Sequence, residues 1–248
     1  MTYETLVFEE HGDVATLTLH RAPGNRINVR MIKELTAVCD HLEDKSTVKV
    51  VVLRGSGGVF SEGVDFSEFQ PDQPLDIHGF NKWEKICTRL ERLPKGTVAL
   101  VDGPAVGGGF QLALVCDLRI ATSKAIFQLP EVHMGFLPGM ATFRLAKYVG
   151  LGHAKRMMVT AEEVGAERAL ELGIIDRVEE DLDAGLVWAL EALGPQHSVA
   201  IELTRRLLNE SFAATAENAI GHFLAAQHRA ITQTAFLETL KKRQDEED

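Results

Sequence analysis

Apolar positions alternate at the start of the chain and then recur at helical spacing. Leu6 and Phe8, then Ala15, Leu17 and Leu19, alternate with polar neighbours about His11-Gly12-Asp13, which predicts a β-hairpin. From Met31 the period changes: Met31, Ile32, Leu35, Val38, Cys39 and Leu42 share one helical face, and Asn28 stands where a side chain caps that helix. The run over residues 48–54 predicts a buried strand, and a loop with Pro71 and Pro74 leads into a helix over 80–92. There Phe80, Trp83, Ile86, Cys87 and Leu90 form an apolar face whose first reading is core packing, with part of it available to wall a pocket. A strand over 98–101, a helix opening near Gly108 and a strand over 118–122 complete an α/β alternation. Beyond Gly150 helices follow one another, over 152–159, 161–172, 182–193, 198–208 and 215–243. Gly194-Pro195 is the natural boundary, because proline cannot continue a helix, so the chain divides into 1–193 and 194–248.

The densest chemistry lies between Val98 and Glu131. The strand breaks at Asp102-Gly103-Pro104 and order resumes through Gly107-Gly108-Gly109-Phe110-Gln111. Successive glycines leave main-chain N–H groups uncovered at the start of a helix, where negative charge is stabilised. No phosphate-loop pattern and no dinucleotide fingerprint is present. Two readings stay open: backbone donors for a developing oxyanion, or a tight turn packed under a helix. Glu131 is a lone carboxylate in the apolar, turn-rich FQLPEVHMG, where burial can tune an acid or base. Taken alone it would be a solvated or ion-paired glutamate, and Gln111 could cap or bond to backbone. His133 and His228 read as structural or surface residues, and no metal-ligand spacing is found.

Three segments in order, VKVVVLRGSGGVFSEGVDF, VDGPAVGGGFQLAL and FQLPEVHMGFLPG, resemble the crotonase, or enoyl-CoA hydratase/isomerase, superfamily. The resemblance implies a spiral ββα superhelix with a C-terminal helical region that covers the acyl pocket and builds homotrimers or homohexamers. Phe212, Ile220, Phe223, Leu224, Ile231 and Phe236 are compatible with that assembly and equally with ordinary core. The resemblance also places an oxyanion hole at the backbone N–H groups of Val64 and Gly108, with Gly107 beside them, and an acid/base role at Glu131. The Asn25-Arg26-Ile27-Asn28 segment matches the stretch that runs along coenzyme A, with Glu62 and Asp65 in the same cleft. Substrate contacts are expected at Gln111, Gly107, Trp83 and Phe136.

The resemblance further implies an acyl thioester of coenzyme A, or of phosphopantetheine on an acyl carrier protein, as substrate, with no separate prosthetic group. One departure bears on the reaction. Two-glutamate hydratases carry a second carboxylate where this chain has Gln111, and an amide cannot take a proton. Isomerisation of a double bond or decarboxylation to an enolate, each needing one carboxylate, is therefore expected before ordinary hydration. Gln111 with Glu131 resembles carboxymethylproline synthases, and Gly135-Phe136-Leu137-Pro138-Gly139-Met140 resembles the decarboxylating crotonases of polyketide β-branching. The other class is a family member retained for binding or assembly, such as a helper subunit or an RNA-associated variant.

Composition narrows the partners. With 248 residues and 45% hydrophobic content the chain can bury a sizeable core without staples. A net charge of −10 argues against nucleic acid or an anionic membrane as partner; the phosphates of coenzyme A need only local cations, available at Arg26, Arg54 or Lys241-Lys242-Arg243, the last of which reads first as a solvated helix end before the acidic tail. The N-terminus has neither a basic region nor a long apolar run, from which a cytoplasmic location is expected. Cys39, Cys87 and Cys116 are odd in number and sit in apolar contexts, as buried free thiols do.

Overall fold

The computed structural model describes residues 2–69, 72, 77–193 and 198–247. Pro71, Pro74 and the Gly194-Pro195 break lie outside them. The hairpin forms as β1 (Leu6–His11) and β2 (Val14–Leu19), antiparallel with Leu6 opposite Leu19, turning through Gly12 at φ 58°. Asn28 caps α1 (Val29–Asp44), its side-chain oxygen accepting the Met31 N–H at 2.9 Å. Met31, Leu35, Val38, Cys39 and Leu42 are fully buried, as their spacing predicts.

After α1 the chain alternates strand and helix: β3 (Val50–Gly55), α2 (Ile77–Arg92), β4 (Gly96–Val101), β5 (Pro104–Val106), α3 (Gly108–Leu114), β6 (Leu118–Ala121) and β7 (Ile126–Gln128). Then come α4 (Ala141–Thr160), β8 (Val164–Gly165), α5 (Ala166–Glu171), β9 (Arg177–Val178) and α6 (Leu182–Leu193). One sheet has the order β1-β2-β3-β4-β6-β9, parallel from β2 onward, and the other has the order β5-β7-β8. The pairs β4–β5 and β6–β7 each add a strand to the larger sheet and then to the smaller, and the last turn adds β8 to the smaller before β9 to the larger, which is the ββα spiral. Isolated parallel bridges, Ile27 with Val64 and Ser61 with Ala105, extend the smaller row back to the first turns.

Both faces of the larger sheet are covered, so its strands read as continuous apolar runs rather than alternating ones. Val50, Val52, Val98, Leu100 and Ile120 pack against Leu182 and Ala189 of α6. Val51, Leu53, Ala99 and Val101 point the other way and are equally buried. By Cα proximity the chain forms two compact units, Met1–Glu91 with Gly96–Gly194, and Arg92–Lys95 with Pro195–Asp248. In the second unit α7 (Ser198–Glu210) packs on α8 (Ala216–Ile231), followed by α9 (Thr234–Glu247), and Arg205 donates to the carbonyls of Leu93 and Lys95.

Four expectations change. The helix expected over 152–159 begins at Ala141, with a break at Gly150 (φ 75°, ψ 161°). The 161–172 segment is a strand of two residues and a shorter helix, and the stretch over 215–243 is two helices divided at Thr232–Gln233. Phe212, Ile220, Phe223 and Leu224 are not core of the single chain: they are 70, 60, 49 and 59% exposed.

Glu34 is buried although charged. It accepts from the backbone of Glu4 and Thr5, from Thr5 Oγ1 at 2.6 Å and from Arg30 at 2.8 Å. Burial raises its carboxyl pKa, but those donors outweigh burial and hold it below its ordinary value. A lowered carboxyl contributes stability above its unfolded pKa and loses it as pH falls through the folded value. Glu34→Ala should therefore cost about 2 kcal/mol at neutral pH and little in strong acid, read from urea unfolding at both pH values.

Candidate active site

Parallel strands bring their C-terminal ends to one edge, and the site is built along that edge of the smaller row. Val106 of β5 pairs with Gln128 of β7, so the residues just beyond each strand face one another, and Gly107 N–H donates to Gln128 C=O at 2.9 Å. Beyond β7, Pro130 opens a short 3-10 turn, Glu131–Met134. Glu131 points back at Gly107: a Cβ on Gly107 would lie 2.7 Å from Glu131 Oε1. Gly107 has φ 54° and ψ −122°, a backbone conformation that side chains disfavour. Glycine is required here for conformation and for space.

The Val64 loop reaches the same point from the preceding turn. Ile27 N–H donates to Gly63 C=O at 2.7 Å, and Asp65 N–H donates to Ile27 C=O at 2.9 Å. In a parallel bridge of that form the intervening residue, Val64, directs its own N–H away from Ile27. Gly63 (φ 84°) lies against the other loop, where a Cβ would be 2.8 Å from Val106 O and 3.5 Å from Gly108 N. Among the described residues, the Val64 and Gly108 N–H groups have no backbone acceptor. Because α3 has only seven residues, these individual donors matter more than a helix dipole.

Glu131 is buried, and its Oε2 has no hydrogen-bond partner among the described residues. Burial pushes its carboxyl above the ordinary range, which makes it a stronger base once ionised. Trp83 and Ile27 close the other side, with the indole 3.6 Å and Ile27 Cδ1 2.9 Å from where a Gly108 Cβ would sit. Phe136 meets Phe66 edge-on at 5.5 Å between ring centroids.

The remaining sequence-read residues are placed differently. Gln111 is buried, its Nε2 donating to Glu84 Oε1 at 2.9 Å and its Oε1 accepting Ala141 N–H at 2.8 Å. Asn25 (φ 48°) turns its amide inward, donating to Ser56 and Val59 carbonyls at 2.9 and 2.8 Å. Arg26 and Glu62 pair with each other at 2.7 Å on the surface, and Arg54 lies 3.6 Å from Asp183. Asp65 caps the Phe66–Glu68 turn, and its bonds to Ser67 and Arg21, the latter at 2.6 Å, hold its carboxyl low. Sequence reasoning missed Glu84 and the buried Arg144 that pairs with it at 3.1 Å; the signal was an arginine inside the apolar ATFRLAKY. His133 and His228 are exposed, and the three cysteines are free and buried, with burial pushing the Cys39 and Cys87 thiols up to about 12.

The enoyl-CoA hydratase/isomerase family model matches residues 9–245. The chain belongs to the enoyl-CoA hydratase/isomerase family. Among its relatives, the short-chain-enoyl-CoA hydratase of Clostridium acetobutylicum is 32% identical, covering 97% of both chains. The crotonyl-CoA hydratase of Syntrophomonas wolfei is 30% identical over 97% of this chain and 98% of its own. A solved enoyl-CoA hydratase from Geobacillus kaustophilus superposes with TM-score 0.90 at 27% identity, over 98% of this chain and 96% of its own. This member of the crotonase superfamily thus has the spiral fold expected of it, and no helix among its described residues is long and apolar enough to cross a membrane.

Proposed function

We propose that this enoyl-CoA hydratase/isomerase family member binds an acyl thioester with its carbonyl oxygen between the Val64 and Gly108 N–H groups and transfers one proton through Glu131. The substrate is a thioester of coenzyme A, or of phosphopantetheine on an acyl carrier protein. The reaction is a double-bond shift or a decarboxylation. In the shift, Glu131 takes the α proton of a β,γ-enoyl thioester, the electron pair moves onto the carbonyl oxygen, and the proton returns at the γ carbon. In decarboxylation, the bond from the α carbon to a carboxylate breaks, carbon dioxide leaves, and protonated Glu131 quenches the enolate. Donors already placed at the developing oxyanion serve both routes, and one such donor is typically worth about 3–4 kcal/mol of barrier.

The carrying observation is the contrast between two side chains. Among the described residues Glu131 Oε2 is buried without a partner, whereas both ends of the Gln111 amide are engaged by Glu84 and Ala141. Glu131 is therefore, among the described residues, the carboxylate left free to titrate beside the candidate oxyanion donors. Hydration is the second reading, favoured by the hydratase names of the Clostridium and Syntrophomonas relatives. A role confined to binding or assembly is opposed by a buried carboxylate with one oxygen unpartnered among the described residues, which is costly unless used.

Incubation with malonyl-, β,γ-enoyl- and α,β-enoyl-CoA in D₂O tests the reading. Loss of carbon dioxide, or an isomer whose mass changes only by exchanged deuterium, is expected; addition of water as the dominant outcome would favour hydration. Residues 1–193 are assigned to the spiral core and 194–248 to a helical region. Through its exposed Phe212, Ile220, Phe223 and Leu224, that region joins copies into trimers or hexamers in the cytoplasm.

A further inference from the structure

Gln111 sits between partners that fix which end of its amide is which. Its Nε2 faces Glu84 Oε1 at 2.9 Å and its Oε1 faces the Ala141 N–H at 2.8 Å. An ionised carboxylate only accepts and a backbone N–H only donates, so the amide has one orientation. Glu84, on α2, is held from other elements too. Met140 N–H donates to the same Oε1 at 3.0 Å, and Arg144 of α4 pairs with Oε2 at 3.1 Å. A Cβ on Gly139 would stand 2.6 Å from Glu84 Oε1 and 3.2 Å from Gln111 Oε1, so the turn into α4 lies directly on the pair. Arg144 also serves Glu91 at 3.3 Å. Cys87 faces Gln111 Nε2 at 3.5 Å, and its thiol, pushed up to about 12 by burial, brings no charge at neutral pH.

We propose that Glu84 is a specificity-determining residue: by accepting from Gln111 it keeps position 111 uncharged and leaves Glu131 as the one proton-transfer carboxylate beside the oxyanion donors. This rests on the acyl-thioester reading above. A carboxylate at 111 would meet the Glu84 carboxylate at hydrogen-bond distance, and like charges so close must share a proton. The nearby cation, Arg144, is already divided between Glu84 and Glu91. Exchanging the two groups keeps the central bond and the cation: a glutamine at 84 donates to a glutamate at 111, which still accepts from Ala141, and its amide oxygen accepts from Arg144, while the Met140 N–H gives up its acceptor. The exchanged carboxylate then lies one turn along α3 from Gly107 and gives the site a second group for adding water. One carboxylate takes a proton from water as its oxygen bonds to the β carbon, and the other returns a proton to the α carbon, consuming nothing else.

The test compares Gln111→Glu, Glu84→Gln and the double exchange in the full chain. In Gln111→Glu the shared proton raises the pair above the ordinary carboxyl range. Its stability is then present in acid and lost as pH rises, so the thermal midpoint should fall relative to the parent between about pH 5 and 8. Adding Glu84→Gln should abolish that fall. The double exchange should hydrate crotonyl-CoA at least roughly tenfold faster than Gln111→Glu. If Gln111→Glu does not fold at about pH 8 while the double exchange does, the coupling is equally established; failure of both overturns it. A parent-like pH–stability curve for Gln111→Glu, or equal hydration by single and double variants, also overturns it. Should the parent turn over no thioester, the functional reading fails, and the unfolding comparison alone decides on Glu84.

Discussion

Replacing Glu131 with glutamine should abolish most turnover and at the same time make the protein harder to unfold at neutral pH. The loss follows from removing the group proposed to move the proton, typically about 10²–10⁴-fold in rate. The gain follows from the same geometry that makes the group useful. Glu131 is buried with Oε2 unpartnered among the described residues, and its carboxyl is raised by burial. A raised carboxyl favours the fold below its unfolded pKa and weakens it as pH climbs through the folded value. Glutamine carries no charge, so the variant should exceed the parent by roughly 1 kcal/mol at about pH 8, a shift of about 2–4 °C, and match it near pH 4. Paired thermal melts and steady-state rates check this. A glutamine variant that unfolds earlier than the parent at pH 8 would count against the burial argument, and one with parental turnover against the role.

Gly107→Ala should be nearly as damaging, although it alters no group that reacts. Position 107 combines φ 54° with a Cβ direction 2.7 Å from Glu131 Oε1. Strain of that kind costs on the order of 1–3 kcal/mol, and the methyl displaces either the carboxylate or the loop that aims the Gly108 N–H. Turnover should fall about 10²–10³-fold, the range for losing one oxyanion donor. Gly108→Ala is the informative contrast. The nearest atoms to its Cβ would be Ile27 Cδ1 at 2.9 Å and the Trp83 ring at 3.6 Å, and a flexible isoleucine tip can move. That variant should fold as stably as the parent and keep more activity than Gly107→Ala; the reverse order in rates would contradict the geometry described for the two loops.

Much of the spiral was legible because its signals are local. The hairpin alternates, α1 carries its own cap in Asn28, and β3 and β4 hold unbroken apolar runs, Val50–Leu53 and Val98–Val101, because both faces of their sheet are covered. What was not legible depends on distance or on missing punctuation. The helix α4 starts after Met140, which makes no side-chain cap, so no serine, threonine or aspartate marks its beginning. The boundary between α8 and α9 falls at Thr232 and Gln233, with neither glycine nor proline to announce it. Strands β5, β7, β8 and β9 span two or three residues, too few for any period.

The site divides in the same way. Its glycine cluster and Glu131 stand out in one short stretch of sequence. By contrast, the partners that engage Gln111 lie 27 and 30 positions away, and Arg144 reaches Glu84 across 60. No window of sequence contains both halves of such a contact. Arg26 and Glu62, both read as residues along coenzyme A, turn out to face each other.

The central claim is that Val64 and Gly108 together hold a thioester carbonyl as it takes on charge. A crystal structure with a non-reactive acyl-CoA analogue tests it most directly. The account predicts the acyl oxygen about 2.7–3.1 Å from both amide nitrogens, with the α carbon within reach of Glu131. An acyl group bound in order, but with its oxygen away from either nitrogen, would contradict it.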